Sequence, residues 1–506
     1  MTVEKTLLIR NARILSLDDV NREWPCADIL VQDGRIAAIG ENLPQPAGEV
    51  RTIDAAGQLA MPGLVNAHFH SPGNFLKGQL DGYPLEIFML YEVPPLAQQG
   101  DSYRFAYLRT LMGALEMLER GITTVHDDAY HVPVASPESI DAVMQAYADA
   151  GIRATVAIDQ PNIVEYDKFP FLKDLLTPTL RQEMEAAPRQ TSQELLALYG
   201  HLLQRWHGGN GGRLAAAVSC SAPQRVTDDY FLGLAELSRA NDLPFNIHVL
   251  ETKLQRATGR ERFGKSLLRH VHDLGILDER SQIIHAIWID EHDIQLLADA
   301  DAVVAHNPVC NLRLGSGVMP FRALRDAGIT VAIGTDELCT DDTANVWQAG
   351  KMAGLVHNLS TPDYDRWPRH GEVLRAMTRG GARAIRREKD LGQLSVGAVA
   401  DIILLDLDTW AFTPFNNIER QLVYSEDGRS VRTTIVGGEV VMENGQHTRI
   451  DMRAIRAEIR EMAGAISGQM GESHAAALRM LPYYRAMYDK AHAEPSGLVR
   501  RLVAGD

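Results

Sequence analysis

Along the first sixty residues apolar and polar positions alternate with a period of two, most clearly over 6–10, 27–31 and 35–39. Such alternation marks half-buried strands, and the Asp33-Gly34 pair marks a turn between the last two. The pattern returns near the other end. Stretches 400–406 and 431–436 read as strands, and 437–442, opening on Gly437-Gly438, completes a hairpin. Neither half-sheet is large enough to stand alone, so the two ends are expected to pair into one small β-sandwich domain, residues 1–58 plus 395–449.

Between them the period changes. Short, buried-looking runs alternate with amphipathic stretches of helical period, the signature of βα units and a parallel sheet. There are eight such runs: 59–70, 122–128, 154–160, 214–220, 245–251, 282–289, 302–309 and 330–336. Helices suit the intervals, as at 102–120, 136–150, 229–240 and 291–298. Eight strands each followed by a helix predict an α/β chain whose residues 59–394 close into a (β/α)8 TIM-type barrel. In that fold, catalytic groups gather at the C-terminal ends of the strands. After about residue 450 the chain is rich in Ala, Arg and Glu at helical spacing. This predicts a helical extension, 450–506, packed on the barrel or on a neighbouring subunit and without chemistry of its own.

The strand ends carry the chemistry. His68 and His70 close the first run. Positions i and i+2 of a strand share a face with Cα atoms about 6.6 Å apart, so both rings can reach one ion at about 2.0–2.1 Å. Alone, an HxH pair reads first as two packed histidines. Its position, where a first barrel strand opens onto the active face, strengthens the metal reading. The fifth run ends His248-Val-Leu-Glu251-Thr252, the sixth ends at His285, and the eighth ends Gly334-Thr335-Asp336. A carboxylate closing an apolar strand is costly unless it meets a cation or a proton donor. Chance alone is a poor account of all these groups falling at the ends of strands one, five, six and eight.

Composition narrows the class. With 506 residues, 45% of them hydrophobic, the chain can bury one large core and a smaller companion. A formal charge of −16 argues against nucleic acid or an anionic membrane as partner, because both require a basic face. Four cysteines without CxxC spacing suit a reducing compartment. The beginning of the sequence lacks the basic and apolar regions of a signal peptide, and no apolar stretch approaches the roughly 20 residues that span a bilayer. A cytoplasmic location is expected.

The motifs Pro62-Gly-Leu-Val-Asn-Ala-His68-Phe-His70, Gly121-Ile-Thr-Thr-Val125 and His248-Val-Leu-Glu251-Thr252 resemble those of the amidohydrolase superfamily. So do Ala305-His306-Asn307-Pro308-Val-Cys-Asn311, Gly334-Thr335-Asp336 and Leu394-Ser-Val-Gly-Ala-Val-Ala-Asp401. The resemblance is to the triazine-hydrolase-like group, which includes cytosine, guanine, S-adenosylhomocysteine and methylthioadenosine deaminases. It implies that His68, His70, His248 and Asp336 hold one divalent ion, zinc first, with iron (Fe2+) or manganese (Mn2+) as alternatives. It also implies that His285 stands beside that ion and that Glu251 shuttles the proton, which makes Glu251, His285 and Asp336 the catalytic set. Strand four offers no lysine for a second ion. The implied reaction is hydrolytic removal of an amine from an amino-substituted nitrogen heterocycle or amidine. Hydrolysis of an amide, urea or carbamate C–N bond at the same centre is the alternative. Retention of all the expected ligand positions argues against a non-catalytic assembly role. The family's habits imply a homo-oligomer.

Departures from the group concern the substrate. Its Trp and ribose-contacting Glu fall, read without gaps, on Phe88 and about Ala97. Ser221 stands where many members carry a strand-four His, and Glu337 where they carry Gly. These changes point away from a nucleoside. Gln160, Phe88 and His306 are the candidate substrate contacts among small molecules, and the aromatic- and Pro-rich stretch 162–188 is expected to form a lid.

Overall fold

A computed structural model describes residues 6–99 and 102–501. The apolar run 59–70 divides at Gly63. Before it, Gln58–Pro62 pairs antiparallel with Ile402–Asp406 and parallel with Thr6–Leu15; after it, Leu64–Phe69 (β1) enters the barrel. A Cβ on Gly63 would stand 2.2 Å from the Thr123 side chain, so no larger residue fits where the two strands part. The first barrel strand thus begins at Leu64, later than the run starting at 59 suggested.

Strands from both ends of the chain share one sheet. Its order is Gln446–His447, Glu439–Glu443, Val431–Val436, Ile402–Asp406, Gln58–Pro62, Thr6–Leu15, Glu23–Gln32 and Arg35–Gly40, with Arg51–Asp54 also pairing on Thr6–Leu15. Alternate residues such as Leu7, Ile9, Ile29, Ile402 and Leu404 form its buried core. Arg153 fastens this sheet to the barrel. Its guanidinium grips Asp401 at 2.9 and 3.1 Å, and the Gly437 N–H donates to the same carboxylate at 2.7 Å.

The remaining strands are β2 (Ile122–Tyr130), β3 (Arg153–Asp159), β4 (Leu214–Ala216, resumed at Val218–Ser219), β5 (Phe245–Val249), β6 (Ser281–His285), β7 (Val303–His306) and β8 (Thr330–Ile333). They pair in parallel and in chain order, β1 through β4 and β4 through β8. Side-chain and backbone bonds bring the two ends of the series together. Asn66 and Thr335 exchange hydrogen bonds at 2.8 and 3.0 Å, and the Asp336 N–H donates to the His68 carbonyl at 3.0 Å. Parallel strands in this order, buried on both faces, are consistent with a TIM-type barrel.

Intervening helices start and stop where local chemistry dictates. The Ser102 hydroxyl caps Tyr103–Glu119, and Ser136 and Ser139 box the start of Pro137–Ala150, which Gly151 ends at φ 72°. Three helical features lie over the strand ends: Leu85–Gln99, the short helices within 165–186, and Met452–Ala493, 42 residues long. The last is held at both ends. Ile455, Ile459 and Met462 pack on a cluster around Phe75, Phe88 and Phe105. Beyond its far end Arg500 donates to the Ile287 and Ile289 carbonyls, each at 2.8 Å. Among the described residues, no helix is long and apolar enough to cross a membrane.

Candidate active site

Three imidazoles converge at the C-terminal end of the strands. His68 and His70 of β1 and His248 of β5 have ring centroids 4.6–5.2 Å apart, and all three are buried. Their outer nitrogens are fixed from the backbone. His70 Nδ1 donates to the Asp128 carbonyl at 2.5 Å, and His248 Nδ1 to the Ser221 carbonyl at 2.7 Å. Both Nε2 lone pairs therefore point inward and face each other at 3.2 Å. His68 has no hydrogen-bond partner for either ring nitrogen among the described residues. Asp336 completes the group, with Oδ1 3.8 Å from His68 Nε2 and 3.7 Å from His70 Nε2. Inward lone pairs, an unpartnered buried imidazole and a carboxylate repel or waste one another unless a cation lies among them. The donor set fits one divalent ion with nitrogen and oxygen ligands. The backbone carbonyls behind His70 and His248 are the outer-shell supports that such ligands usually have.

Glu251 reaches this centre through a turn. Three residues beyond His248 it has the wrong parity for the pocket, and the strand does end at Val249. Leu250 adopts φ 55°, and Thr252 caps the next helix by accepting the Gln255 N–H. The Gln255 side chain in turn accepts the Glu251 N–H at 2.9 Å, and Thr252 Oγ1 donates to Glu86 at 2.6 Å. Glu251 Oε2 thereby lies 3.6 Å from His285 Nε2, whose other carboxylate neighbour, Asp336 Oδ2, is also at 3.6 Å. Burial, and then the Asp336 charge, push the Glu251 carboxyl well above the usual carboxylate range. Burial pulls the His285 imidazole below its ordinary value, while Asp336 opposes the shift. Asn311 Oδ1 accepts from His285 Nδ1 at 2.9 Å, so a neutral His285 presents Nε2 as an acceptor to Glu251 and Asp336. Ser221, Leu250, His285 and Asp336 all have left-handed φ, between 55° and 71°. Non-glycine residues enter that region at a cost of order 1–3 kcal/mol each, so four together at the strand ends show the surroundings holding these side chains in place.

Above the group lies a cavity of about 550 Å³. Its floor is His70, His248, Glu251, His285 and Asp336; its walls come from Leu85–Gln99, from 160–189 and from the helix Met452–Ala493. Phe88 and Gln160 line it, as expected, and the Gln160 side chain accepts the His131 N–H at 3.2 Å. His306 does not line it. Its Nε2 meets His357 Nε2 at 3.0 Å behind β7, so the expected substrate contact there is replaced by a buried histidine pair. Asp127 is structural, accepting from the Ser71 N–H at 2.9 Å and the Tyr147 hydroxyl at 2.8 Å. The lid expected over 162–188 is present as walls of the cavity. The extension beyond 450, expected to carry no part of the site, supplies Arg479, Met480 and Tyr484 to it.

Three supports escaped the pattern of the sequence: the Ser221 carbonyl, Asn311, and the Thr252–Gln255–Glu86 set behind Glu251. Asn311 carried the one usable signal, since it sits four residues after Asn307 in a helix that opens at a strand end. Glu337, in place of the group's Gly, also faces the cavity. Burial and the adjacent Glu92 push its carboxyl well up, and Cys339 Sγ lies 3.0 Å from it.

Comparison with known proteins agrees with this geometry. The model of the amidohydrolase family matches residues 59–441. A 5-methylthioadenosine/S-adenosylhomocysteine deaminase of Thermococcus kodakarensis is 30% identical over 443 residues, 86% of this chain and 94% of that protein. An adenosine deaminase of Xanthomonas campestris, solved with bound zinc, superposes with a TM-score of 0.80 at 25% identity, covering 91% of this chain and 98% of the other. An atrazine chlorohydrolase of Arthrobacter aurescens, complexed with zinc, gives a TM-score of 0.81 at 25% identity over 90% of this chain and all of that one. The chain belongs to the amidohydrolase family.

Proposed function

We propose that this member of the amidohydrolase family is a metal-dependent deaminase that removes an amine, by hydrolysis, from an amino-substituted nitrogen heterocycle or amidine. The observation that carries the reading is the placement of Glu251 and Asp336 on either side of His285, each 3.6 Å from its Nε2, beside three inward-facing imidazole groups. His68, His70, His248 and Asp336 are the ligands in this reading, and zinc is the ion, as in the two zinc-containing neighbours. A divalent ion held there would lower the pKa of a water to about 7 and supply hydroxide to the amine-bearing carbon.

The protein's own groups handle the protons. Asp336, with Oδ2 turned toward His285, accepts the proton released from water. Glu251, whose raised affinity for protons suits it to start as the acid, delivers its proton at Oε2 to a ring nitrogen. It then takes the proton of the new hydroxyl and passes it to the departing amine, and is restored by the proton that Asp336 took from water, a role typically worth about 10²–10⁴-fold. His285, held by Asn311 with Nε2 left as an acceptor, takes a hydrogen bond from the attacking water and so orients it. The helix and wall segments over the mouth exclude water from the reacting face.

The same reading divides the chain into a barrel (59–394), a small β-sandwich domain from both ends (1–58 with 395–449) and the helical extension (450–506). The support is the sheet shared by the two ends and the match of the barrel segments to the family.

Ammonia release by the zinc-loaded protein, measured across aminopurines, aminopyrimidines, pterins and aminotriazines, is the direct test. Turnover confined to amides, ureas or carbamates, with a freed carboxylate or carbamate, would replace deamination by the alternative hydrolysis.

A further inference from the structure

The cavity changes character with distance along the chain. Its floor is made of ionisable strand-end residues, whereas the surface above, its roof, is mostly apolar. Leu180 and Met184 come from the segment after β3, and Met480 and Tyr484 from the helix Met452–Ala493, beside charged Glu183 and Arg479, which pair with each other. That helix lies outside the family-matched span 59–441. Its seating is specific. Tyr484 is buried against Phe169, ring centroids 5.6 Å apart, within a cluster that includes Leu172, Leu180 and Met487. Arg479 pairs with Glu183, and Lys253 Nζ donates to the His492 carbonyl at 2.5 Å. With Arg500 clamped below β6, these bonds hold the helix across the mouth of the barrel.

A cavity of about 550 Å³ falls in the roughly 300–1,000 Å³ range that encloses drug-sized ligands, far beyond what a bare amino heterocycle fills. Resting on the deaminase reading above, we infer that the substrate is an aminated heterocycle carrying an apolar substituent, and that Met480 and Tyr484 of the C-terminal helix, with Leu180 and Met184, form the subsite that receives it. The floor reads the amine and ring nitrogens. The roof reads the substituent by the area it removes from water, so a propyl-sized group strengthens binding by about tenfold or more. A polar substituent such as ribose gains no comparable amount there, because these four side chains bring only one hydroxyl and the charged groups of the same walls are already engaged: Arg479 with Glu183, Lys168 with Glu165, and Arg189 with backbone carbonyls.

The test uses the zinc-loaded full chain with Glu251→Gln, which binds without turnover, and the probes adenine, 9-propyladenine, adenosine, melamine and N-propylmelamine. Calorimetric Kd values are expected to be at least tenfold lower for a propylated form than for its parent, with adenosine no tighter than adenine. Met480→Ser is expected to bring the propyl-to-parent ratio toward one. Met480→Trp, which fills the subsite, is expected to weaken the propylated form tenfold more than the parent. Thermal melting of each variant separates this effect from misfolding. Equal Kd values within each pair, a gain for ribose equal to that for propyl, binding of no probe, or a ratio indifferent to both Met480 substitutions would overturn the inference. Ammonia release by the protein with Glu251 intact is read separately. Its failure with every heterocycle removes the deaminase reading, and the Kd ratio still decides the nature of the subsite.

Discussion

The floor and the roof of the cavity are built on opposite principles. Every functional group of the floor sits at the end of a buried strand, and its orientation is set by short bonds to backbone or to a second buried side chain, such as Ser221 behind His248 and Asn311 behind His285. The roof is a long helix and a run of short ones, joined by apolar packing and by the solvent-facing ion pair Arg479–Glu183, whose side chains are 60% and 45% exposed. A rigid floor suits chemistry, which tolerates little misplacement of reacting groups. A roof assembled from contacts of small individual worth can change its lining without disturbing that chemistry. The difference teaches where mutations should matter: large effects on rate below, small effects on stability and changes of preference above.

The sharpest way to break this contrast is at the floor. Replacing His248 by Ala should reduce bound zinc to well under one ion per chain and abolish ammonia release. The loss should exceed the roughly 10–100-fold typical of removing an outer-shell partner, as metal analysis and steady-state rates would show. Next in size, Glu251→Gln should lower kcat by about 10²–10⁴-fold while leaving metal content unchanged. Glu251 acts first as a proton donor, and its raised pKa means that the acid form is kept until pH rises through a value above the ordinary 4.3 or so. The alkaline limb that Glu251 sets in the rate profile should therefore lie above that value and vanish in the Gln variant.

Asn311→Leu should cost less, about tenfold, by loosening the His285 ring and leaving its Nδ1 only the long 3.4 Å contact with the Asn307 side chain. Zinc content should stay constant while kcat falls. At the roof, Arg479→Ala should cost under about 1 kcal/mol of stability, read as a small change in melting temperature, since exposed ion pairs contribute little. A loss of activity there as large as that of Glu251→Gln would erase the distinction between the two regions.

The residues expected from the resemblance to depart from the nucleoside deaminases, Phe88, Ser221 and Glu337, all line the cavity around the floor. Ser221 carries two messages. Its identity departs from the histidine that the resemblance implies there, and its carbonyl supports His248. Only the first could be seen from the residue type.

What the sequence determined by itself was periodicity and the chemistry at its ends. Short, mostly apolar runs are buried on both faces in a covered parallel sheet, and the polar groups closing such runs gather on one side. His68, His70, His248, His285 and Asp336 were therefore legible from spacing. Tertiary structure alone decided what depends on chain reversals and distant partners. The left-handed Leu250 swings Glu251 back to His285, because a strand's period of two cannot say where the strand stops. His306 turned away to His357 for the same reason, a partner 51 residues distant. The C-terminal helix could be read as amphipathic, but an apolar face does not name the surface it will cover. Only folding brought Met480 and Tyr484 over a centre whose nearest ligand in sequence, Asp336, lies more than a hundred residues earlier.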